Sequence, residues 1–125
     1  MRRILVIGAK GMLGKDLVEI LRSSSRVDQH LDWEVFGWDI EEIDIQEEKN
    51  TVNKIESLRP NIVINIAAYT NVDGCESHEE KAFAVNAEGM RHVARGALTC
   101  RAKVVYLSTD YIFDGKKREP YLEDD

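Results

Sequence analysis

Cysteine is scarce in this sequence, and so are positive charge and long apolar runs. The two cysteines, Cys75 and Cys100, stand apart with no metal-ligand spacing around them. That excludes a disulfide framework and a zinc module, and reads as reduced, structural thiols. No apolar run approaches the length needed to span a bilayer, so no membrane partner is expected. The N-terminus enters Ile4–Ile7 directly, a run too short for a signal-peptide core and without a cleavage pattern. These features together predict a cytoplasmic protein. Lys and Arg number 17 against 23 Asp and Glu, for a net charge of −6, which argues against a nucleic-acid partner held by a basic field. Internal repeats, low-complexity tracts and interdomain linkers are also missing. The 125 residues therefore read as one domain with room for a real core, and a hydrophobic content of 43% argues against disorder.

What the sequence does have is a glycine-punctuated start. Ile4–Ile7 is a buried-strand candidate; it breaks at Gly8, and glycines recur at Gly11 and Gly14. Leu13, Leu17, Ile20 and Leu21 follow at helical spacing. Strand, tight glycine turn and helix form a phosphate-binding unit for a dinucleotide. An anionic pyrophosphate needs backbone N–H groups aimed at it, and the first turn of a helix offers them with the positive end of its dipole. Gly8 allows the sharp turn, Gly11 the close approach of backbone to phosphate, and Gly14 the close packing of helix on strand. The spacing is G-x-x-G-x-x-G, and a glycine-rich turn that binds nothing has the same letters.

Along the chain, helix one is expected from Gly11 to Arg22, ended by Ser23-Ser24-Ser25 and a polar loop to Asp32. Trp33–Trp38 reads as strand two and Ile43–Ile45 as a short third strand. Asp44-x-x-Glu47 looks like a capped helix start, with Val52, Ile55 and Leu58 on the buried face and Arg59-Pro60 as the stop. Asn61–Ile66 is nearly continuous in apolar character, as a central parallel strand should be. Ala67–Gly74 reads as loop, and Glu76 to Leu98 as helix in two pieces meeting near Asn86. Lys103–Leu107 is the last strand, followed by loop with a turn at Asp114-Gly115. The alternation β-α-β-β-α-β-α-β predicts a Rossmann-type, doubly wound α/β fold. It should be a three-layer α/β/α arrangement around a parallel sheet of order 3-2-1-4-5.

In such a sheet ligands lie at the carboxyl ends of the strands, so the residues just after each strand are the candidates. Asp39 is placed to accept hydrogen bonds from the adenosine ribose hydroxyls, favouring NAD over NADP. Lys10 pulls the other way, since a cation in the glycine turn could meet a 2′-phosphate. Ala67 and Ala68 are small enough to let a cofactor lie against the backbone, with Tyr69 beside them and Thr70 adding a hydroxyl. Ser108-Thr109-Asp110 follows the last strand, and a hydroxyl there can polarise a substrate carbonyl; Thr109 is the first choice and Ser108 the second. An ordinary Ser/Thr turn explains the same residues. His30, His78 and His92 share no spacing and read as surface residues, and no metal site is expected. Glu79-Glu80 and Glu123–Asp125 read as solvated charge, and Arg91 and Arg95, one helical turn apart, as a wet face.

Several segments appear in a familiar order: Ile4–Gly14; Asn65-Ile-Ala-Ala-Tyr-Thr-Asn-Val-Asp73; Glu76-Ser77; Ala84-Val-Asn-Ala87; Leu107-Ser-Thr-Asp-Tyr-Ile-Phe-Asp-Gly115; and Pro120-Tyr121-x-Glu123-x-Asp125. Together they resemble the N-terminal part of the dTDP-4-dehydrorhamnose reductase family of extended short-chain dehydrogenase/reductases. The likeness spans essentially the whole chain, and the Ser108–Gly115 run is its most specific piece. It implies an oxidoreductase using NAD(H) or NADP(H) to reduce the 4-keto group of a dTDP-sugar in dTDP-L-rhamnose biosynthesis. It implies Gly11, Met12 and Leu13 at the cofactor diphosphate, Asp39 at the ribose, and Asp44 and Ile45 flanking the adenine. Ala68, Tyr69 and Thr70 would line the cofactor channel. Thr109 would be the catalytic hydroxyl, with Asp110 beside it at the sugar, and Asn86 matches a family asparagine.

One departure is expected to decide activity. The family's general acid is the tyrosine of a Tyr-x-x-x-Lys motif, where the lysine lowers the tyrosine pKa. Tyr69, Tyr106, Tyr111 and Tyr121 all lack a lysine four residues on. The chain therefore reads as the cofactor-binding portion, residues 1–125, of a longer enzyme, cut before that motif and the substrate domain and inactive alone. An uncovered sheet edge at Lys103–Leu107 would follow, with self-association into a homo-oligomer or reduced stability. Two alternatives share the resemblance: a regulatory subunit like methionine adenosyltransferase β, and a sugar-nucleotide epimerase or dehydratase fragment.

Overall fold

The computed structural model describes residues 1–27 and 32–125. Its centre is the apolar run at the N-terminus, strand β1 (Arg2–Ile7), in which Ile4 through Ile7 are all buried. Successive side chains of a strand point to opposite faces, so this run feeds two cores. Leu5 and Ile7 join Ile43, Ile45, Ile55, Val63, Val93 and Ala97 on one face. Ile4 and Val6 join Val18 on the other.

Strand β2 (Trp33–Trp38) and strand β3 (Ile62–Asn65) flank β1 in parallel, and β4 (Lys103–Tyr106) pairs with β3. The order is β2-β1-β3-β4 in a four-stranded sheet. The expected order 3-2-1-4-5 thus loses its outermost member: Ile43–Ile45 forms no strand among the described residues. Both isoleucines are buried, but the backbone here closes local turns instead of a ladder. The N–H groups of Glu42 and Ile43 bond Asp39 O at 2.9 and 2.8 Å. Alternating burial reports one apolar side, and a plug in the core satisfies that as well as a strand does.

Helix α1 (Met12–Val27) covers one face of β1 and β2 through Val18, Leu17 and Leu21. It continues past Arg22 through the serines expected to stop it. The Ser23 hydroxyl bonds back to Glu19 O at 2.7 Å and Ile20 O at 3.1 Å, so it serves the helix instead of a turn. Residues 28–31 of the expected loop, His30 among them, lie outside the described residues. Gly37 lets α1 approach the sheet, since a Cβ there would lie 3.2 Å from Val18.

On the opposite face, α2 (Glu48–Leu58) packs against α5 (Met90–Thr99) with Ile55 wholly buried over Gly96. Its cap differs from the sequence expectation. Asp44 Oδ1 accepts the Gln46 N–H at 3.0 Å, closing a turn three residues early, and the residue before α2 is Glu47. Arg59 ends the helix in the left-handed region, φ 51°, and the buried Pro60 follows. The second helical stretch is more broken than expected: α3 (Val72–Ser77), α4 (Glu79–Phe83), a π-helical turn over Ala84–Gly89, then α5. It begins earlier than Glu76 because Asn71 Oδ1 caps it by accepting the Gly74 N–H at 2.9 Å. After β4 the chain is irregular apart from one 3-10 turn, Asp110–Ile112, and a turn at Gly115, φ 71°. Phe113 and Tyr121 stack at 4.2 Å in that segment. Val104, Val105, Tyr106 and Leu107 are exposed. No described helix is long and apolar enough to cross a membrane.

Ile55 links α2 to α5 with no solvent contact. Ile55→Ala should cost about 2–5 kcal/mol of stability, read as a lowered urea midpoint at unchanged m-value.

Candidate functional site at the carboxyl edge of the sheet

Parallel register brings four strand ends into one row. Trp38 pairs with Ile7, Ile7 with Asn65, and Asn65 with Tyr106. The segments that follow, beginning at Asp39, Gly8, Ile66 and Leu107, therefore leave the sheet along the same edge. Strands lie about 4.8 Å apart, so β1 and β4, two places apart, end within roughly 10 Å of each other.

The glycine bend is forced by crowding. Gly8 has φ +91°, and a Cβ on it would sit 2.8 Å from Ala67 N. Its N–H and that of Ala9 both bond Trp38 O, at 2.9 and 3.0 Å. A Cβ on Gly14 would overlap Gly8 O and lie 2.8 Å from Ala9 Cα, so α1 rests directly on the turn. Gly11 closes the bend, N–H to Gly8 O at 3.2 Å, and its own carbonyl accepts the Lys15 N–H at 3.1 Å. The N–H groups between them open the helix, where no intrahelical carbonyl is available. Met12, 91% exposed, and Leu13 stand in solvent at this helix start.

Asp39 ties β2 to the bend. Oδ2 accepts the Lys10 N–H at 2.7 Å and Oδ1 the Ile40 N–H at 2.9 Å. Each oxygen keeps a second lone pair for a ligand hydroxyl. Lys10 Nζ lies 2.7 Å from Glu41 Oε1. The hydrogen bond from Lys10 holds the Glu41 carboxyl below its ordinary range, and the same bond raises the Lys10 ammonium above its own.

Ile45 is held at both ends. Its side chain fits the notch at Gly89, where a Cβ would lie 2.7 Å from Ile45 Cδ1. Its carbonyl oxygen is 2.8 Å from His92 Nδ1. A carbonyl only accepts, so Nδ1 carries the proton. His92 is 5% exposed. The expectation of a surface histidine fails there because the ring spans the joint between α5 and the Asp44–Gln46 segment. His78 is exposed as expected.

Asn86, inside the π-helical turn, grips the loop after β3. Its Oδ1 accepts the Tyr69 N–H at 2.8 Å and its Nδ2 donates to Tyr69 O at 3.0 Å. The Tyr69 ring turns to the α3–α4 side, beneath the Lys81 ammonium at 4.7 Å and against Gly74. Ala68 and Thr70 are exposed. Thr109 lies beyond β4 on the same edge with extended backbone, and its side chain does not cap the short Asp110–Ile112 turn. Its hydroxyl is thus not consumed by the Ser/Thr turn that would explain it structurally. Asp110 is exposed beside it.

A cleft of about 280 Å³ runs between these segments. Gly8, Gly11, Asp39, Asp44, Ile45 and Ala68 line it, all of them predicted from sequence. Ala67, read from the sequence together with Ala68 as a small residue beside a cofactor, lines it too; Ile7, Ile40, Ile43, Gln46, Ile66 and Val85 complete the lining and were not singled out as site residues in the sequence. Met12, Leu13, Gly14, Tyr69, Thr70, Thr109 and Asp110 are not part of its lining. Most of the missed wall is apolar, with Ile43 of the buried plug and Val85 of the π-helical turn among it, and such core-like side chains carry no sequence sign of a ligand site.

The model of the family described as RmlD substrate binding domain matches residues 1–125. The chain belongs to this family. It is 38% identical to a dTDP-4-dehydrorhamnose reductase of Aggregatibacter actinomycetemcomitans over all of its own length and 40% of the relative's. A crystal structure of a dTDP-4-dehydrorhamnose reductase from Clostridium acetobutylicum superposes with a TM-score of 0.88 at 36% identity, covering 98% of this chain and 41% of that one. The dTDP-4-dehydrorhamnose reductase of Bacillus anthracis, solved in complex with NADP, gives a TM-score of 0.83 at 35% identity, over 94% of this chain and 40% of that one. The chain thus spans about two fifths of the length of the RmlD relatives it matches.

Two outcomes follow. Asn86→Ala strips both peptide partners from Tyr69 and should cost about 1–3 kcal/mol, with faster amide exchange confined to residues 67–70 and their neighbours. The Lys10–Glu41 pair stabilises the fold above the unfolded carboxylate pKa and loses that effect as pH falls through the lowered Glu41 value. At the other end it is lost as pH rises through the raised Lys10 value. Lys10→Met should move the Glu41 titration upward toward the ordinary carboxylate range in a carbon-detected NMR titration.

Proposed function

We propose that residues 1–125 form the cofactor-binding part of an NAD(P)H-dependent dTDP-4-dehydrorhamnose reductase, which reduces a 4-keto nucleotide sugar in dTDP-L-rhamnose biosynthesis. The observation that carries this reading is the coincidence of two things. The family match runs the full length of the chain, and the cleft built by Gly8, Gly11, Asp39 and Ala68 lies where a dinucleotide would cross the sheet. The dTDP-4-dehydrorhamnose reductase solved with NADP supports the same assignment.

The residues fit such a cofactor. Gly8 and Gly14 leave no room for side chains, so a pyrophosphate can reach the N–H groups at the start of α1. Asp39 is anchored by two backbone N–H groups and can accept from the ribose. Asp44 and Ile45 would flank the adenine, and the loop held by Asn86 would form the channel toward the nicotinamide. A bound nicotinamide cofactor supplies a hydride. Thr109 would donate a hydrogen bond to the oxygen of the sugar carbonyl, with Asp110 orienting the sugar. These residues contain no Tyr-x-x-x-Lys, so the proton that completes the alcohol is assigned outside them. The exposed β4 face is the surface through which self-association is expected.

Calorimetric titration tests the reading. The chain should bind NADH and NADPH without reducing a keto sugar. Gly11→Asp, which sets a carboxylate against the pyrophosphate, should weaken both by about tenfold or more at unchanged melting temperature. Failure of the unaltered chain to bind either nucleotide, with its fold intact by circular dichroism, would contradict the assignment.

A further inference from the structure

The corner of the cleft at Asp39 is unusual in its charge. The Lys10 ammonium is paired with Glu41 and feels the charge of Glu42 and Asp39 as well. Asp39 is anchored by one backbone N–H on each oxygen. Glu42 accepts the Asp39 N–H at 2.9 Å. Lys54 donates to the Glu42 carbonyl. That leaves Glu41 as the partner of Lys10, at 2.7 Å, with both side chains more than half exposed. Lys10 cannot drift far from this corner, because its own N–H is fixed to Asp39 Oδ2 at 2.7 Å.

We propose that Glu41 determines nucleotide preference by holding the Lys10 ammonium away from the ribose 2′ position. The inference rests on the cofactor reading above. With the pair closed, the rim offers carboxylates to a 2′-hydroxyl and repels a 2′-phosphate. With the pair open, Lys10 becomes a counter-ion for that phosphate. An exposed ion pair is weak and screened by salt, so a dianionic phosphate can compete for the lysine. Preference is therefore graded, and both nucleotides are admitted. The mutual displacement of the two pKa values, Lys10 upward and Glu41 downward, is the electrostatic mark of the same pairing.

The test is the ratio of NADPH to NADH affinity, measured by fluorescence titration of the chain, Glu41→Gln, Lys10→Met and the double variant at one ionic strength. Glu41→Gln should raise the ratio by about threefold to tenfold. The gain should vanish in the double variant and shrink at high salt. An unchanged ratio in Glu41→Gln overturns the proposal. So does a gain that persists without Lys10, since that would be simple relief of repulsion. If the unaltered chain binds both nucleotides and the ratio does not move, this inference alone falls. If it binds neither, the cofactor reading falls and takes this inference with it.

Discussion

Everything at the ligand edge depends on a steric constraint at the end of β1. The chain must leave the central strand, turn, and start a helix while the loop after β3 presses on it from one side. Gly8 meets Ala67 and Gly14 meets Gly8 and Ala9 so closely that neither tolerates a side chain. This contact brings the first turn of α1 to the mouth of the cleft and fixes its distance from the row of strand ends. The helix start, with its unpaired N–H groups, is thereby aimed at the space over the sheet.

Around that bend the other segments are locked by a few polar contacts. Asp39 holds the bend to β2 through the Lys10 N–H, His92 and Gly89 hold Ile45, and Asn86 holds Tyr69. The last two share one feature, the π-helical turn Ala84–Gly89 and the start of the helix after it. Its widened geometry presents Val85 to the cleft, Asn86 to one loop and a bare glycine to another. Such turns recur at functional sites, and here one turn supports both ends of the proposed cofactor channel.

The parts of the fold that could be read from the sequence are those whose signal is local. Ile4–Ile7 is an unbroken apolar run and Trp33–Trp38 an alternating one, and both lie in strands. Gly8, Gly11 and Asp39 follow from chemistry at strand ends. What could not be read depends on partners far along the chain. Ile43 and Ile45 alternate like a strand, yet both plug the core, and Gly89 and His92 receive Ile45 there. The serines after Arg22 carry a stop signal, yet the helix runs through them, and Ser23 bonds back to the Glu19 and Ile20 carbonyls. The pairing of Lys10 with Glu41 exists only because β1 and β2 lie side by side, and the sequence alone showed Lys10 as a free cation.

The central claim is that the carboxyl edge of this sheet is the ligand face, and amide shift mapping addresses it directly. With NADPH added to labelled protein, the largest changes should fall on Gly8–Leu13, Asp39–Ile45 and Ala67–Tyr69. Changes concentrated instead at the opposite ends of the strands, near Arg2, Asn61 and Ala102, would contradict the account.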